Sequence, residues 1–147
     1  MINFRAITED NFDDIIRMKR PDDEDFVASN AYSLAQAWLY RDNGDVYPFA
    51  IYEDDAPVGF MMLDEDMDER CLIIWRIMFP EENRFKGYGT AAIRRIIDLA
   101  RESGKYDFLL ISYDPANKVA EHVYKKLGFR PTGVFEHGEI ELRLDLK

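Results

Sequence analysis

The sequence predicts an α/β (α+β) fold for this chain of 147 residues. Short apolar or alternating runs, which are typical of strands, recur along its whole length. Longer runs with apolar residues at helical spacing separate several of them. One of these helical runs is opened by a basic, glycine-containing loop that directly follows a strand-like run. In chain order the patterns predict β-α-α-β-β-β-α-β-α-β-β.

The first third of the chain is predicted to form one strand and two helices. Residues 2–7 are the strand, and Thr8 is the expected N-cap of a helix whose apolar residues follow at helical spacing. Pro21 and the acidic run 22–25 end this helix. Residues 33–40 form the second helix, which carries its large apolar side chains on one side.

The middle of the chain is predicted to form three strands. Residues 46–53 and 57–63 pair as a hairpin around a turn at residues 54–55. The acidic segment 64–70 is expected to be a loop, and the apolar run 71–79 is the next strand.

The last part of the chain is predicted to alternate between helices and strands. The helix that follows the glycine loop ends at Gly104, and an apolar strand covers residues 106–113. Another helix follows Pro115, and residues 130–135 and 139–146 alternate as two strands around a tight turn.

The run Arg84-Phe85-Lys86-Gly87-Tyr88-Gly89 has the features of a phosphate-binding loop. The first N–H groups of a helix have no partner inside the helix, and the helix dipole places partial positive charge there. Gly87 and Gly89 let the backbone approach an anion closely, while Arg84 and Lys86 add positive charge. The run has neither the Gly-Lys-Ser/Thr of a P-loop nor the three glycines of a dinucleotide-binding fingerprint.

A second group of residues follows on a later helix. At 100° per residue, Asn117, Ala120 and Tyr124 lie on one face of that helix, beside a separate apolar stripe. Gly128 is the expected residue after the helix end, and Phe129 follows it. Taken by itself, this pattern also fits a helix with Asn117 as its N-cap and a half-buried tyrosine.

Together these two groups resemble the GNAT superfamily of acyl-CoA-dependent N-acetyltransferases. The family's phosphate motif, Gln/Arg-x-x-Gly-x-Gly/Ala, fits Arg84, Gly87 and Gly89. Its later motif, Asn-x-x-Ala-x-x-x-Tyr-x-x-x-Gly-Phe, fits residues 117–129 at every named position. The resemblance covers about residues 51–147 well and the N-terminal third loosely. It implies a single GNAT domain over residues 1–147, with a mixed, mostly antiparallel sheet of about seven strands flanked by about four helices.

The resemblance implies that acetyl-CoA is the cosubstrate. Its pantetheine arm is expected where the strands 71–79 and 106–113 splay apart, and its pyrophosphate on the amides of the glycine loop. The residues expected to bind acetyl-CoA are Met78, Phe79, Arg84, Phe85, Lys86, Gly87, Tyr88, Gly89, Thr90, Asn117 and Ala120.

The implied reaction is direct attack of a neutral amine on the thioester carbonyl in a ternary complex. The backbone N–H of Phe79 is the candidate donor to the oxyanion, and Tyr124 matches the family's tyrosine that protonates the leaving thiolate. The acceptor ammonium must also lose a proton, since an alkylamine has a pKa of about 10.4. We expect Glu81 to be the base that removes this proton. The alternatives are Glu82, Asp64, Glu65 or a chain of waters.

A weaker resemblance, in residues 26–37, 48–52 and 57–60, is to the bacterial spermine/spermidine (diamine) acetyltransferases. The residues expected to bind such an acceptor are Phe26, Tyr32, Asp64, Glu65 and Trp75. Carboxylates would bind the ammonium groups of a polyamine, and aromatic faces would attract them. The alternatives are a protein N-terminus, an aminoglycoside or an amino acid as acceptor, or an acyl-CoA-binding sensor without turnover.

Composition limits the partners and the location that are expected. The formal net charge of −10 argues against a nucleic acid. No apolar run approaches the ~18 residues of a membrane span, and the N-terminus has no apolar signal-peptide core, so a cytoplasmic location without a membrane partner is expected. No metal is expected, and the family resemblance allows a homodimer.

Overall fold

The computed structural model describes residues 1–20 and 28–147 of the chain. Its strands are β1 (Ile2–Ala6), β2 (Val46–Glu53), β3 (Ala56–Asp66), β4 (Cys71–Met78), β5 (Phe108–Tyr113), β6 (Arg130–Glu136) and β7 (Glu139–Asp145). Its α-helices are α1 (Phe12–Arg17), α2 (Asn30–Leu39), α3 (Tyr88–Ser103) and α4 (Lys118–Lys126). Two single-turn 3-10 helices lie at Arg41–Asn43 and Glu81–Asn83.

The strands form one mixed sheet in the order β1-β2-β3-β4-β5-β7-β6. In the described part of the chain, β4 and β5 are the parallel pair, and the other neighbours are antiparallel. The last strand, β7, lies between β5 and β6. The C-terminal hairpin of β6 and β7 therefore places β7 beside β5, one strand away from β4. The predicted mixed, mostly antiparallel sheet is confirmed.

Helices cover both faces of the sheet. On one face, α3 and α4 pack on a buried cluster that includes Ile93, Ile96 and Leu142. On the other face, α1 and α2 cover a smaller cluster that includes Ile15 and Phe60. Fully burying an aliphatic side chain of this size stabilises the fold by roughly 1.5–3 kcal/mol relative to leaving it exposed. The two clusters therefore hold the sheet between the helices and fix the strands that line the site.

The glycine-opened helix is confirmed as α3, and its sequence explains its bounds. Ala92, Ile93 and Ile96 are buried at helical spacing on the sheet-facing side. Gly87 precedes the helix with φ of 79°, and Gly104 follows it with φ of 65°, both in the left-handed region that favours glycine. The predicted C-terminal glycine is therefore at the place that was expected.

The acidic segment after the hairpin was wrongly predicted as a loop. Its first residues continue β3 as far as Asp66, and Asp64 pairs there with Ile73 while Glu65 pairs with Leu72. Polar side chains are tolerated on this strand because partners from other strands and loops satisfy them. Glu65 accepts hydrogen bonds from the Tyr47 hydroxyl at 2.7 Å and from the Lys105 ammonium at 3.2 Å.

The predicted helix starts in the first third were also displaced. The N-cap of α1 is Asn11, not Thr8. Thr8 belongs to the turn before the helix, where its carbonyl accepts hydrogen bonds from the N–H groups of Asn11 and Phe12. The second helix begins at Asn30, three residues before the predicted start. The Ser29 hydroxyl accepts from the Tyr32 N–H there, as an N-cap side chain does.

Candidate active site

A cleft of about 660 Å³ opens where β4 and β5 separate. The two strands pair only from Cys71 with Phe108 to Ile74 with Ile111. Beyond Ile74 the two strands diverge, which confirms the expected splay, and the cleft occupies the gap. Backbone groups of diverging strands are left to pair with something other than each other, so an extended ligand can use them.

A β-bulge at Trp75 accompanies the divergence. On the partner strand Leu63 pairs with Ile74 and Met62 pairs with Arg76, so Trp75 is the extra residue. Arg76 has the same orientation as its partner Met62, toward the face covered by α1 and α2. A bulge bends the strand and redirects side chains, and here it brings both Trp75 and Arg76 to the wall of the cleft.

The cleft extends through the sheet from one face to the other. Ile93, Ala120 and Tyr124 line it from α3 and α4. Ala28 and Arg76 line it on the face covered by α1 and α2. Two molecules could therefore enter from opposite faces and meet between β4 and β5.

One end of the cleft has the form of an anion cradle. The Gly87 backbone is left-handed and an added Cβ would meet nothing within 4 Å, so the approach to the first turn of α3 is open. In the described residues no side chain caps this turn, and its N–H groups remain available. Phe85 is also left-handed, with φ of 61°, and its ring is 86% exposed. These features suit an anion, and the pyrophosphate of acetyl-CoA stays the predicted occupant.

Phe79 joins the end of β4 to the anion cradle. Its ring packs so closely on Gly59 that a Cβ there would lie 2.6 Å from Cδ1. The ring centroid of Phe79 is 6.2 Å from that of Tyr88 in the first turn of α3. Its carbonyl accepts a hydrogen bond from Arg20 Nη1 at 3.3 Å. Contacts from three parts of the chain thus hold Phe79 at the cleft.

Tyr124 is buried at the centre of the cleft. Its ring meets Tyr113 edge-on at 6.4 Å and lies 6.2 Å from Phe129. Burial, followed by the charge of Glu139, raises the pKa of Tyr124 above its ordinary value, although Arg20 lowers it. The phenol is therefore protonated throughout the neutral pH range and can donate a proton.

Asn117 combines two features that the sequence left as alternatives. Its side-chain oxygen accepts from the Ala120 N–H at 3.2 Å, so it is the N-cap of α4. It also lines the cleft, as does Ala120 on the next turn. Because the cap uses the side-chain oxygen, the amide NH2 group remains as the part of Asn117 suited to donate to a ligand.

Most of the residues predicted to bind acetyl-CoA line the cleft. These are Met78, Phe79, Arg84, Phe85, Gly87, Tyr88, Gly89, Thr90, Asn117 and Ala120. Lys86 is exposed and does not line it. The loop and the helix face that the sequence identified are therefore on the same cavity.

The predicted acceptor residues are mostly elsewhere. Trp75 lines the cleft, but Tyr32 is 57% exposed and does not. Asp64 and Glu65 pair with the beginning of β4, away from the splayed end, and are not part of the cleft. Phe26 lies outside the described residues, as does the acidic run 22–25.

The predicted base, Glu81, is not brought to the cleft. It is exposed on the 3-10 helix after β4 and is absent from the cleft wall. Glu82 is exposed on the same turn. None of the four carboxylates that the sequence offered as the base, Glu81, Glu82, Asp64 and Glu65, therefore lines the cleft.

The structure instead brings Arg20, Arg76, His137 and Glu139 to the cleft. Burial raises the pKa of Glu139 above its ordinary value, against the opposing charge of Arg76. Burial lowers the pKa of Arg76, and its Nη1 is buried with no hydrogen-bond partner among the described residues. No sequence pattern singles out Arg76 or Glu139, because each is one polar residue within a strand.

The described residues contain no group of three His, Cys, Asp or Glu side chains that could hold a metal ion. None of the helices in residues 1–20 and 28–147 has the length and apolar character needed to cross a membrane.

Several solved structures share the fold of this chain. A spermidine N-acetyltransferase from Vibrio cholerae, in complex with CoA and spermine, has a TM-score of 0.77 at 16% identity, with 99% of this chain and 95% of that chain covered. PaiA N-acetyltransferase from Thermoplasma acidophilum, in complex with coenzyme A, has a TM-score of 0.72 at 15% identity, with 99% of both chains covered. RimJ from Mycobacterium smegmatis, in complex with CoA-disulfide, has a TM-score of 0.79 at 15% identity, with 98% and 81% covered. At this identity the likeness extends to the fold.

No curated protein matches the sequence. The model of the acetyltransferase (GNAT) family matches residues 11–129, which is most of the chain and includes both sequence motifs. The chain therefore belongs to the GNAT family and is an N-acetyltransferase that uses acetyl-CoA as its cosubstrate.

Proposed function

We propose that this protein transfers the acetyl group of acetyl-CoA to a primary amine of a small polycationic acceptor, such as spermine or spermidine. The observation that carries the proposal is a cleft lined by the anion cradle and Tyr124 on one side and by Glu139 and Trp75 on the other. The two substrates meet in it as a ternary complex, and the amine attacks the thioester directly. No covalent enzyme intermediate is needed.

The residues of the cradle hold acetyl-CoA in this proposal. The N–H groups of Tyr88, Gly89 and Thr90 receive the pyrophosphate, with Arg84 beside them. Met78 and Phe79 offer backbone groups to the pantetheine arm at the end of β4, and the Asn117 amide donates to it.

Tyr124 donates its phenol proton to the leaving thiolate. A thiol has an ordinary pKa of about 8.5, so its thiolate leaves more readily when a donor is in place. Burial keeps the phenol of Tyr124 protonated at neutral pH, as a proton donor must be, although the raised pKa also makes it a weaker acid than a free tyrosine. The Phe79 N–H donates to the tetrahedral oxyanion at the end of β4.

Two features support a polyamine as the acceptor. Glu139 offers a half-buried carboxylate to an ammonium group, and Trp75 offers an aromatic face to the cation and its methylenes. The fold is also shared with a spermidine N-acetyltransferase that was crystallised with spermine.

Arg76 favours a second candidate acceptor. Its Nη1 is buried without a hydrogen-bond partner among the described residues, and it lines the acceptor side of the cleft. A buried guanidinium N–H without an acceptor costs free energy, and a carboxylate can bond a guanidinium in two places. An amino acid or peptide N-terminus with a nearby carboxylate would satisfy Arg76.

CoA release with acetyl-CoA and a panel of amines tests the proposal. The panel contains spermine, spermidine, putrescine, an aminoglycoside, amino acids, their amides and short peptides. We expect the highest kcat/KM with spermine or spermidine. A preference for amino acids over their amides, lost in Arg76→Leu, would favour the second candidate. Acetyl-CoA binding without turnover on any amine would contradict both and favour a sensor.

A further inference from the structure

Glu139 occupies a position in the sheet that no local pattern indicates. It is the first residue of β7, where it pairs across the hairpin with Glu136. The next residue, Ile140, pairs with Tyr113 and packs on the core cluster of the α3 and α4 face. Successive residues of a strand point to opposite faces, so Glu139 is directed to the face of α1 and α2. There it lines the acceptor side of the cleft.

The charged groups around Glu139 come from four other parts of the fold. Arg76 on β4 and His137 in the hairpin turn favour its charged form, while Asp114 after β5 disfavours it. Tyr124 on α4 is close enough for the charge of Glu139 to raise its pKa. Glu139 thus lines the same cleft as the proposed proton donor, on the side from which the acceptor enters.

We propose that the Glu139 carboxylate is the general base that takes the proton from the acceptor ammonium. This inference rests on the proposed amine acetylation and names its base. Glu139 and Asp114 line the cleft, whereas Glu81 and Glu65 do not. Asp114 already accepts a hydrogen bond from the Ala116 N–H at 2.9 Å, which leaves Glu139 as the carboxylate better suited to take a proton. The step requires a group that attracts the ammonium and then accepts its proton, and the half-buried carboxylate of Glu139 can do both.

The proposed step balances as follows. One ammonium N–H bond breaks, its proton goes to Glu139, and the electron pair stays on nitrogen. That pair forms the C–N bond to the thioester carbonyl carbon. When the C–S bond breaks, sulfur takes the proton of Tyr124, and the second nitrogen proton returns to Tyr124 through water. Glu139 releases its proton to solvent, so one proton leaves in each turnover.

The pKa direction agrees with this role. Burial, the largest cause, raises the pKa of Glu139 above its ordinary value and moves it closer to neutral pH. The base works in its deprotonated form, so activity limited by Glu139 falls as the pH falls through this raised pKa. Above it, the carboxylate is ionised and ready to accept a proton.

Glu139→Gln tests the proposal, with Glu141→Gln as a matched control. Glu141 is two residues further on the same strand and outside the cleft, and glutamine can keep the bond from the Thr132 hydroxyl that Glu141 accepts at 3.0 Å. With the best acceptor of the panel, we expect Glu139→Gln to lose about 10²-fold or more in kcat at pH 7. Acetyl-CoA affinity should stay at the parent value, and Glu141→Gln should keep parent activity. Glu139→Asp should recover part of the loss.

The pH profile and the acceptor basicity distinguish a base from a binding carboxylate. In the parent, kcat should fall at acidic pH as Glu139 becomes protonated. In Glu139→Gln this fall should be absent, and kcat should instead rise with pH as the acceptor ammonium in solution loses its proton. The loss should shrink with a weakly basic amine that is already neutral at pH 7. A raised KM with an unchanged kcat profile would overturn the proposal, since Glu139 would then only bind the cation.

Two further outcomes separate this proposal from the proposed function. Parent turnover on amines, with activity lost in Glu81→Gln and kept in Glu139→Gln, would overturn Glu139 as the base and leave amine acetylation standing. A parent that binds acetyl-CoA and acetylates no amine would overturn both.

Discussion

Gly59 in β3 is the position where the smallest substitution should disturb the site most. Alanine would place its Cβ 2.6 Å from Phe79 Cδ1 and 2.7 Å from the Met78 carbonyl oxygen. The nearer contact is about 0.8 Å short of the 3.4 Å at which ordinary van der Waals contact begins. The ring could turn aside, but the Met78 carbonyl belongs to a residue that pairs with Phe60 next to Gly59. The added methyl must therefore push β3 and β4 apart.

Overpacking of this kind typically costs about 1–3 kcal/mol, and we expect Gly59→Ala to lower the free energy of unfolding by that amount. For a chain of this length each kcal/mol corresponds to about 2–4 °C in Tm. The ring of Phe79 also faces α3, where a Cβ on Gly89 would lie 3.8 Å from Cε2. A displaced ring disturbs the anion cradle, and we expect acetyl-CoA affinity to fall roughly tenfold, or about 1.4 kcal/mol.

Urea unfolding and calorimetric titration with acetyl-CoA measure the two effects. Gly89→Ala is the control for stability, since its Cβ makes an ordinary contact and alanine favours a helix by up to about 1 kcal/mol over glycine. Gly89→Ala should be as stable as the parent or more so. A Gly59→Ala protein with parental stability and affinity would refute the close packing of Phe79 on Gly59.

Four further predictions follow from the site and its supports. Tyr124→Phe should bind acetyl-CoA normally and lose about 10²-fold in kcat, measured by CoA release; parental turnover would exclude Tyr124 as the acid. Asn117→Ser should keep the α4 cap and the parental stability, whereas Asn117→Ala should lower the free energy of unfolding by about 1 kcal/mol in urea unfolding. Both variants should bind acetyl-CoA more weakly, because both lose the amide NH2 group. Unchanged affinity in both would count against a contact between this amide and acetyl-CoA. Gly87→Ala places a side chain at φ of 79° and should cost roughly 1 kcal/mol or more in urea unfolding; an unchanged midpoint would contradict the left-handed conformation. Burial raises the pKa of Glu65, but hydrogen bonds from two tyrosines and a lysine outweigh it, so the pKa lies below its ordinary value. The ionised Glu65 carboxylate therefore stabilises the fold at neutral pH, and this contribution is lost as the pH falls below about 4.3. Glu65→Gln should reduce the fall in the free energy of unfolding between pH 7 and pH 3, measured by urea unfolding. A variant whose pH dependence is identical to that of the parent would contradict the lowered pKa.

The anion cradle and the α4 wall of the cleft could be predicted because their parts are local in the chain. Gly87 directly precedes α3 and Gly89 is in its first turn, and Asn117 and Tyr124 share a face of one helix because they are two turns apart. Helical periodicity and glycine conformation depend on nearest neighbours in sequence. Such features can be read before any tertiary contact is known.

The acceptor side could not be predicted in the same way. Arg76 reaches the cleft through a bulge at Trp75 that depends on how β3 pairs with β4. Glu139 reaches it because β7 inserts between β5 and β6. Asp64 and Glu65 looked like acceptor ligands, but β3 continues through them and carries them toward the beginning of β4. Strand pairing and register are long-range properties, so residue type alone does not determine whether a carboxylate lines the cleft.

The chain's own residues thus specify the family and the cosubstrate and predict Tyr124 on α4 as the proton donor, because short-range patterns carry that information. Only the tertiary structure brings Glu139 and Arg76 to the wall of the cleft, since the completed sheet is needed to bring the ends of β4 and β7 together. Burial in that cleft then shifts the pKa values of Glu139 and Tyr124, and burial is a property that neither residue has in the unfolded chain.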